Sequence, residues 1–340
     1  MSESSAGATF RNAVLLVGMA AGAWYFFNHF EIEGLQGLKV HPKSQAITQS
    51  DDFSTDEFVP TFVSTTSNVT SVNKPNRLPT LPPSRNLRIA TWSLGGFGPA
   101  KLDSAKTIER VAAVIGSFDV IAIQQMCPTQ RDFVPQLLQI ASTGGRRFDY
   151  LLGDADRTSG EQMAFFFDTT RVVTDRTQLY TVADPDNRMT NDPFVAWFRA
   201  ADASPETAWT FSFVNVSINL AVAQAEVAEL PRILNAIAKD GRSEDDVILG
   251  GLFQADDSYL MTAIAQPSLR AAIRGTPTDI YAKHQTSNLL YNDVLTTEAL
   301  GRGGVLDFLR RENLSLDEAA QVSPYLPVYA EFTPLEGGLR

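Results

Sequence analysis

Val247-Ile-Leu-Gly-Gly-Leu-Phe-Gln-Ala-Asp-Asp257 is the stretch whose reading decides the fold. Three aliphatic residues followed by paired glycines spell a buried strand that runs out into a glycine-hinged loop, the place where α/β proteins put their chemistry. Working outward, β-type runs are expected at Thr210 to Ile218, Asn288 to Tyr291 and Val328 to Phe332, with helical spacing over Gln224–Lys239 and Leu314–Gln321. Towards the N-terminus, Leu87-Arg-Ile-Ala-Thr-Trp92, Phe118-Asp-Val-Ile-Ala-Ile-Gln124 and Met163 to Phe167 read as strands, and Ala105 to Ile115 as a helix. Many strands with helices between them predict two packed mixed β-sheets flanked by helices, a four-layer α/β sandwich.

Composition bounds the rest. With 340 residues, 44% hydrophobic and 20% charged, the chain has material for one domain of about 250 residues plus extra segments. A net charge of −11 argues against non-specific attraction to polyanions, so nucleic acid is disfavoured as a partner. The single cysteine, Cys127, excludes an intramolecular disulfide. The arginines Arg146, Arg147, Arg157, Arg171, Arg176 and Arg188 are spread over the middle of the chain and read as solvated surface, with a phosphate- or partner-binding patch as the alternative.

The domain organisation follows from changes of texture. Residues 1–12 form a small, polar tail. Residues 13–30 begin with an uninterrupted apolar run, Ala13 to Phe27, and counted to Phe30 reach the lower end of the length that crosses a bilayer core, with Trp24 and Tyr25 suited to the headgroup zone. Arg11 on one flank and Glu31 and Glu33 on the other predict a cytoplasmic N-terminus and an extracytoplasmic domain. Two alternatives stay open: a cleaved signal, since Ala21-Gly-Ala23 resembles a peptidase site, and a buried or interfacial helix. Residues 31–86, rich in Ser, Thr, Asn, Asp and Pro, read as a spacer; residues 87–333 are the globular domain and 334–340 a C-terminal tail.

Several landmarks along 87–333 stand in the order found in the endonuclease/exonuclease/phosphatase superfamily, the deoxyribonuclease-I-like proteins. Ile89-Ala-Thr-Trp-Ser93 resembles the opening strand, which usually ends Thr-Trp-Asn, and Phe118 to Gln125 the second, usually ending Gln-Glu. Ser159 to Phe167 resembles the segment that carries a glutamate before an aromatic strand, and Asn191-Asp-Pro-Phe-Val195 the Arg-x-Pro segment. Phe213 to Asn219 is similar to the strand ending in histidine, and Thr286-Ser-Asn-Leu289 to the Tyr-Asp-x-Ile strand. The 247–257 stretch resembles Gly-Asp-Phe-Asn-Ala-Asp, and Val322 to Val328 the closing Ser-Asp-His-x-Pro-Val.

The resemblance implies metal-assisted phosphodiester hydrolysis, in which carboxylates hold Mg²⁺ or a similar cation and an Asp–His pair handles protons. This chain departs from that pattern at nearly every such position. Ser93 replaces an asparagine, Gln125 the metal-binding glutamate, Asn191 an arginine and Asn219 a histidine. Leu252 replaces the aspartate that activates water, and Gln254 lengthens an asparagine by one methylene. Ser287 replaces the aspartate that orients a histidine, and Pro324 and Tyr325 replace the closing Asp-His. Glu161 is the one charged residue kept. An amide carries no charge for a hard cation and does not titrate near neutrality, and an alkyl chain does neither.

These ten are therefore vestigial positions: no catalytic residue, no bound metal and no cofactor are expected. A membrane-anchored pseudoenzyme is predicted, with a binding or scaffolding role towards a protein partner or a cleft ligand. Two alternatives remain. One is a hydrolase with a relocated site using Glu161, Asp256 or Asp257 and His284; the other is a phosphate-ester or nucleic-acid binder that does not cleave.

Overall fold

The computed structural model describes residues 81, 84–97, 101, 104–127, 133–156, 160–242 and 244–338. The tail, the apolar run of 13–30 and nearly all of the spacer lie outside them, and so does the expected membrane helix. Among the described residues no helix is long and apolar enough to cross a membrane.

Two mixed sheets form the domain. The first contains β1 (Leu87–Phe97), β2 (Val120–Met126), β3 (Phe148–Leu152), β4 (Gln162–Asp168), β12 (Ala299–Val305) and β13 (Val328–Phe332), in the order β12-β13-β1-β2-β4-β3. The second runs β10-β11-β9-β8-β7-β5, with β6 on β7. Its strands are β5 (Val172–Thr174), β6 (Tyr180–Thr181), β7 (Phe194–Ala200), β8 (Thr210–Ser217), β9 (Val247–Leu252), β10 (Leu269–Ala271) and β11 (Ser287–Asn292). The β1–β2 and β8–β9 pairs are parallel and the other pairs antiparallel.

Helices cover both outer faces. α1 (Ala105–Ile115) and α2 (Phe133–Ala141) pack on the first sheet, with α5 (Phe308–Arg311) and α6 (Leu316–Val322). α3 (Ala223–Ala238) and α4 (Asp257–Ile264) pack on the second. α1 starts where the Ser104 side chain accepts from the Thr107 N–H, and it buries Ile108, Val111, Val114 and Ile115 at helical spacing. α6 begins with a Ser315/Glu318 capping box. Asp256, a candidate for a relocated site, is the N-cap of α4 and accepts from the Tyr259 N–H.

Between the sheets lies a core of aromatic side chains. Phe165 meets Phe194, Phe198 and Phe213 at 5.1–5.7 Å between ring centroids, and Trp209 stacks on Phe211 at 4.4 Å and on Phe332 at 4.9 Å. One polar bridge crosses this core. Gln124 Nε2 donates to Thr91 Oγ1 (2.9 Å) and to Asn215 Oδ1 (2.7 Å), while Asn215 Nδ2 donates to the carbonyls of Ile123 and Ala164. A bridge of this kind ties β2 to β8 across the sandwich and fixes their register.

The four-layer expectation holds for 87–333, with two differences. The Val247 strand does not give way to a loop at its glycines; Gly250 and Gly251 pair within β9, which runs on to Leu252. The reason is steric. A Cβ on Gly250 would lie 2.6 Å from Leu289 Cδ2 and 2.7 Å from the Phe213 ring, and one on Gly251 would lie 2.1 Å from the Val216 carbonyl oxygen. These glycines are there for close approach, not for a hinge. The other difference concerns residues 334–338, read as tail. The Trp209 N–H donates to the Pro334 carbonyl, Leu335 bridges Ala208, and the Gly337 N–H donates to Glu298.

Candidate functional site

At one end of the sandwich, β2 and β8 end and β4 and β7 begin around a cleft of about 450 Å³. Gln125 and Ser217 come from the strand ends, and Glu161, Gln162 and Phe194 from the strand beginnings. The loop residues Asp154, Asp156, Thr190, Asn191 and Asp192 complete the polar wall, with Met163 and Met189 as apolar floor. The cleft thus takes one wall from each of the two sheets.

Three of the ten expected positions, Gln125, Glu161 and Asn191, line this cleft. Gln125 sits at φ 55°, a left-handed backbone that a non-glycine residue adopts at a cost of about 1–3 kcal/mol. Its Oε1 accepts a hydrogen bond of 2.6 Å from Ser93 Oγ of β1. Asn191 Nδ2 donates to the Ser217 carbonyl at 3.3 Å.

Leu252 and Ser287 face each other as paired residues of β9 and β11, and both are 0% exposed. Nothing accepts or donates at Ser287 Oγ, a buried hydroxyl left over beside an alkyl side chain. Gln254, at φ 53°, closes the end of β9 with its N–H donating to the Thr286 carbonyl. The 323–325 segment is latched onto β1. Ser323 Oγ donates to the Ser93 carbonyl at 2.7 Å, and Trp92 Nε1 donates to the Tyr325 carbonyl at 2.8 Å. Gly95, at φ 62°, leaves the room for Pro324, since a Cβ there would lie 2.4 Å from Pro324 Cδ.

Asn219 is placed differently from the expectation. β8 ends at Ser217, and Asn219 turns back on its own loop, its Oδ1 accepting from the Ala221 N–H and its Nδ2 donating to Thr190 Oγ1. The β8 side of the cleft is presented by Ser217. The sequence reading also missed Glu226. This buried carboxylate in the first turn of α3 accepts from the Thr190 N–H (2.7 Å), Thr190 Oγ1 (2.5 Å) and the Asn219 N–H (2.8 Å). It thereby ties two loops beside the cleft to one helix end.

Charge in the cleft is negative. Asp154, Asp156, Glu161 and Asp192 line it, and no Lys, Arg or His stands among the described lining residues. Burial, with the Asp156 charge beside it, pushes the Glu161 carboxyl above the usual carboxylate range. Burial and then Asp184 raise Asp192 as well. The residues of the relocated-site alternative do not join Glu161 there. Asp257 Oδ1 accepts from the Gly275 N–H, and His284 is exposed with its backbone N–H on Asp279. Of the described arginines of the candidate patch, Arg146, Arg171, Arg176 and Arg188 are engaged in ion pairs, and Arg147 is exposed. Arg157 lies outside the described residues.

No family model matches the chain. Among curated proteins it is similar to deoxyribonuclease gamma of Rattus norvegicus, 24% identical over 262 residues, which covers 72% of this chain and 83% of that protein. Among solved structures it resembles an endonuclease/exonuclease/phosphatase family protein from Bacteroides thetaiotaomicron with a TM-score of 0.52 and 14% identity, covering 72% of this chain and 97% of the other. The chain therefore has the fold of the endonuclease/exonuclease/phosphatase proteins. The human Nocturnin catalytic domain, solved with a bound sulfate, aligns with this domain at a TM-score of 0.50 and 14% identity over 73% of this chain and 94% of that one. The landmark strands of a deoxyribonuclease-I-like sandwich are thus in place, around a cleft whose polar groups differ from those the superfamily resemblance implies.

Proposed function

We propose that this domain is a catalytically degenerate superfamily member that binds through its cleft and does not hydrolyse phosphodiesters. The observation that carries the proposal is the 2.6 Å hydrogen bond between Ser93 Oγ and Gln125 Oε1. At the place where the resemblance puts a metal-binding carboxylate, the amide oxygen is already engaged by a neighbouring hydroxyl. The donors that remain do not fit a hard divalent cation, which takes six or more oxygens with carboxylates among them. Of the ten positions only Glu161 offers a carboxylate, Leu252 is enclosed, and Tyr325 is held by its backbone to Trp92.

The guest suggested by this wall is cationic or hydrogen-bonding. Four carboxylates without a described cationic side chain repel a phosphate ester and suit a basic segment of a protein partner. In the same proposal, residues 13–30 anchor the chain with its N-terminus in the cytoplasm and the domain outside, and 31–86 space it from the bilayer.

Incubation of the purified chain with DNA and with bis-p-nitrophenyl phosphate, each with Mg²⁺ and with Mn²⁺, is the direct test. No turnover above background is expected. Turnover abolished by Glu161→Gln would overturn the proposal and establish a divergent hydrolase with a relocated site.

A further inference from the structure

Far along β9 from its cleft-side end, the residues that precede β9 and β12 meet the C-terminal segment in a second cluster of acids. Asp246 comes just before β9, Glu298 just before β12, and Glu336 after β13, and one carboxylate oxygen of each lies within 4.8 Å of one from each of the others. Asp246 is 2% and Glu298 1% exposed, while Glu336 opens to solvent.

Each buried carboxylate is held by one oxygen and offers the other. Asp246 Oδ2 accepts from Trp209 Nε1 at 2.8 Å. Glu298 Oε1 accepts from the N–H groups of Gly337 (2.6 Å) and Gly338 (3.2 Å), two glycines with positive φ that turn both amides towards it. The opposite oxygens, Asp246 Oδ1 and Glu298 Oε2, have no hydrogen-bond partner. Neither has Thr296 Oγ1, in a residue 1% exposed. That hydroxyl lies near Asp246 and favours its charged form. Three buried oxygens from three side chains, beside a third acid open to water, are a costly arrangement unless something binds them.

We propose that Asp246, Glu298, Glu336 and the Thr296 hydroxyl form a binding site for a hard divalent cation, Ca²⁺ by ligand set, that clamps the C-terminal segment to the starts of β9 and β12. Carboxylate and hydroxyl oxygens from three segments make an irregular, all-oxygen set of the kind Ca²⁺ accepts with six to eight ligands, whereas Mg²⁺ demands near-ideal octahedral geometry. The exposed Glu336 side leaves an entry path and room for water ligands. Without a cation, burial and then the charges of Glu298 and Glu244 crowd Asp246, pushing its carboxyl up to about 7. Glu244 is otherwise engaged, accepting from Trp197 Nε1 and from the Asp246 N–H. The site is separate from the cleft and does not depend on the function proposed for it.

The test is calorimetric titration of the chelator-treated full chain with CaCl₂, with melting curves alongside. Saturable binding near one equivalent and a rise in melting temperature are expected, with Mg²⁺ binding at least tenfold more weakly. Glu298→Gln should abolish the binding. Glu336→Gln, at an exposed position that the fold tolerates, should weaken it tenfold or more. Absence of binding up to about 10 mM, well beyond the weakest protein calcium sites, would overturn the inference, as would binding that survives Glu336→Gln unchanged. Calcium binding lost only in Glu161→Gln would place a cation in the cleft, and would count against both this inference and the degenerate reading of the cleft.

Discussion

At the scale of single residues, the informative pair is Leu252 and Ser287. Leu252 is fully enclosed opposite a hydroxyl with no partner. Restoring a carboxylate by Leu252→Asp would bury a charge with no cationic partner, and should cost about 3 kcal/mol or more in a urea unfolding measurement. Ser287→Ala removes an unpaired buried hydroxyl, so its unfolding midpoint should stay level or rise. The resemblance implied a polar group at Leu252. It could not show that the hydroxyl across the ladder had been left alone, because partners 35 positions apart are joined only by the sheet. Asn219 shows the complementary limit. Counting from a motif carried it to the cleft, whereas β8 ends two residues earlier and Ser217 takes the place.

At the scale of elements, the strands and helices with strong apolar periodicity were legible. Ala105–Ile115 forms a helix over the expected bounds, and Val328–Phe332 a strand over its expected bounds. β12, with the sequence ALGRGGV and a largely exposed face, carries little apolar signal because it is an edge strand paired on one side only. The short α2 was missed because a nine-residue segment with Pro135 inside it gives little helical signal. The element most exposed to a test is α3, whose Glu226 holds Thr190 and the Asn219 backbone. Glu226→Gln replaces an ionised acceptor of three hydrogen bonds by a neutral amide. It should lower stability by about 1–3 kcal/mol and raise the proteolytic sensitivity of the 184–192 loop, read by limited digestion. In the same way Asn215→Leu removes the bridge between β2 and β8 and leaves Gln124 without its partner across the core. A loss of about 2 kcal/mol is expected.

For the whole molecule, the net charge of −11 is offset locally by ion pairs, among them those of Arg146, which reaches Asp119 and Asp168 at 2.6 Å each. Burial acts to raise the Asp168 carboxyl, but hydrogen bonds from Thr170, Arg146 and the Arg147 N–H outweigh it and hold the group below its usual range. A depressed carboxyl contributes stability that is present above its unfolded value of 3.8 and is lost as pH falls through the folded one. Asp119, raised by burial, works in the opposite sense. Melting temperature should therefore fall as pH drops below about 4, and Asp168→Asn should flatten that part of the profile while lowering stability at neutral pH. The acidic cleft, in contrast, was invisible to a residue-by-residue comparison. It is assembled from Asp154, Asp156, Glu161 and Asp192, of which only Glu161 matches a landmark position.

Gly250 and Gly251 also bear on how a mutational scan of this chain would look. With no space for a Cβ at either position, nearly every substitution there should depress the amount of folded protein, as sharply as changes at a catalytic centre depress turnover. Around them, Gln254 and Ser287 should accept several residue types. A map of intolerance alone would thus draw the outline of an active site along β9, and only abundance measured alongside function would reveal that the outline marks packing.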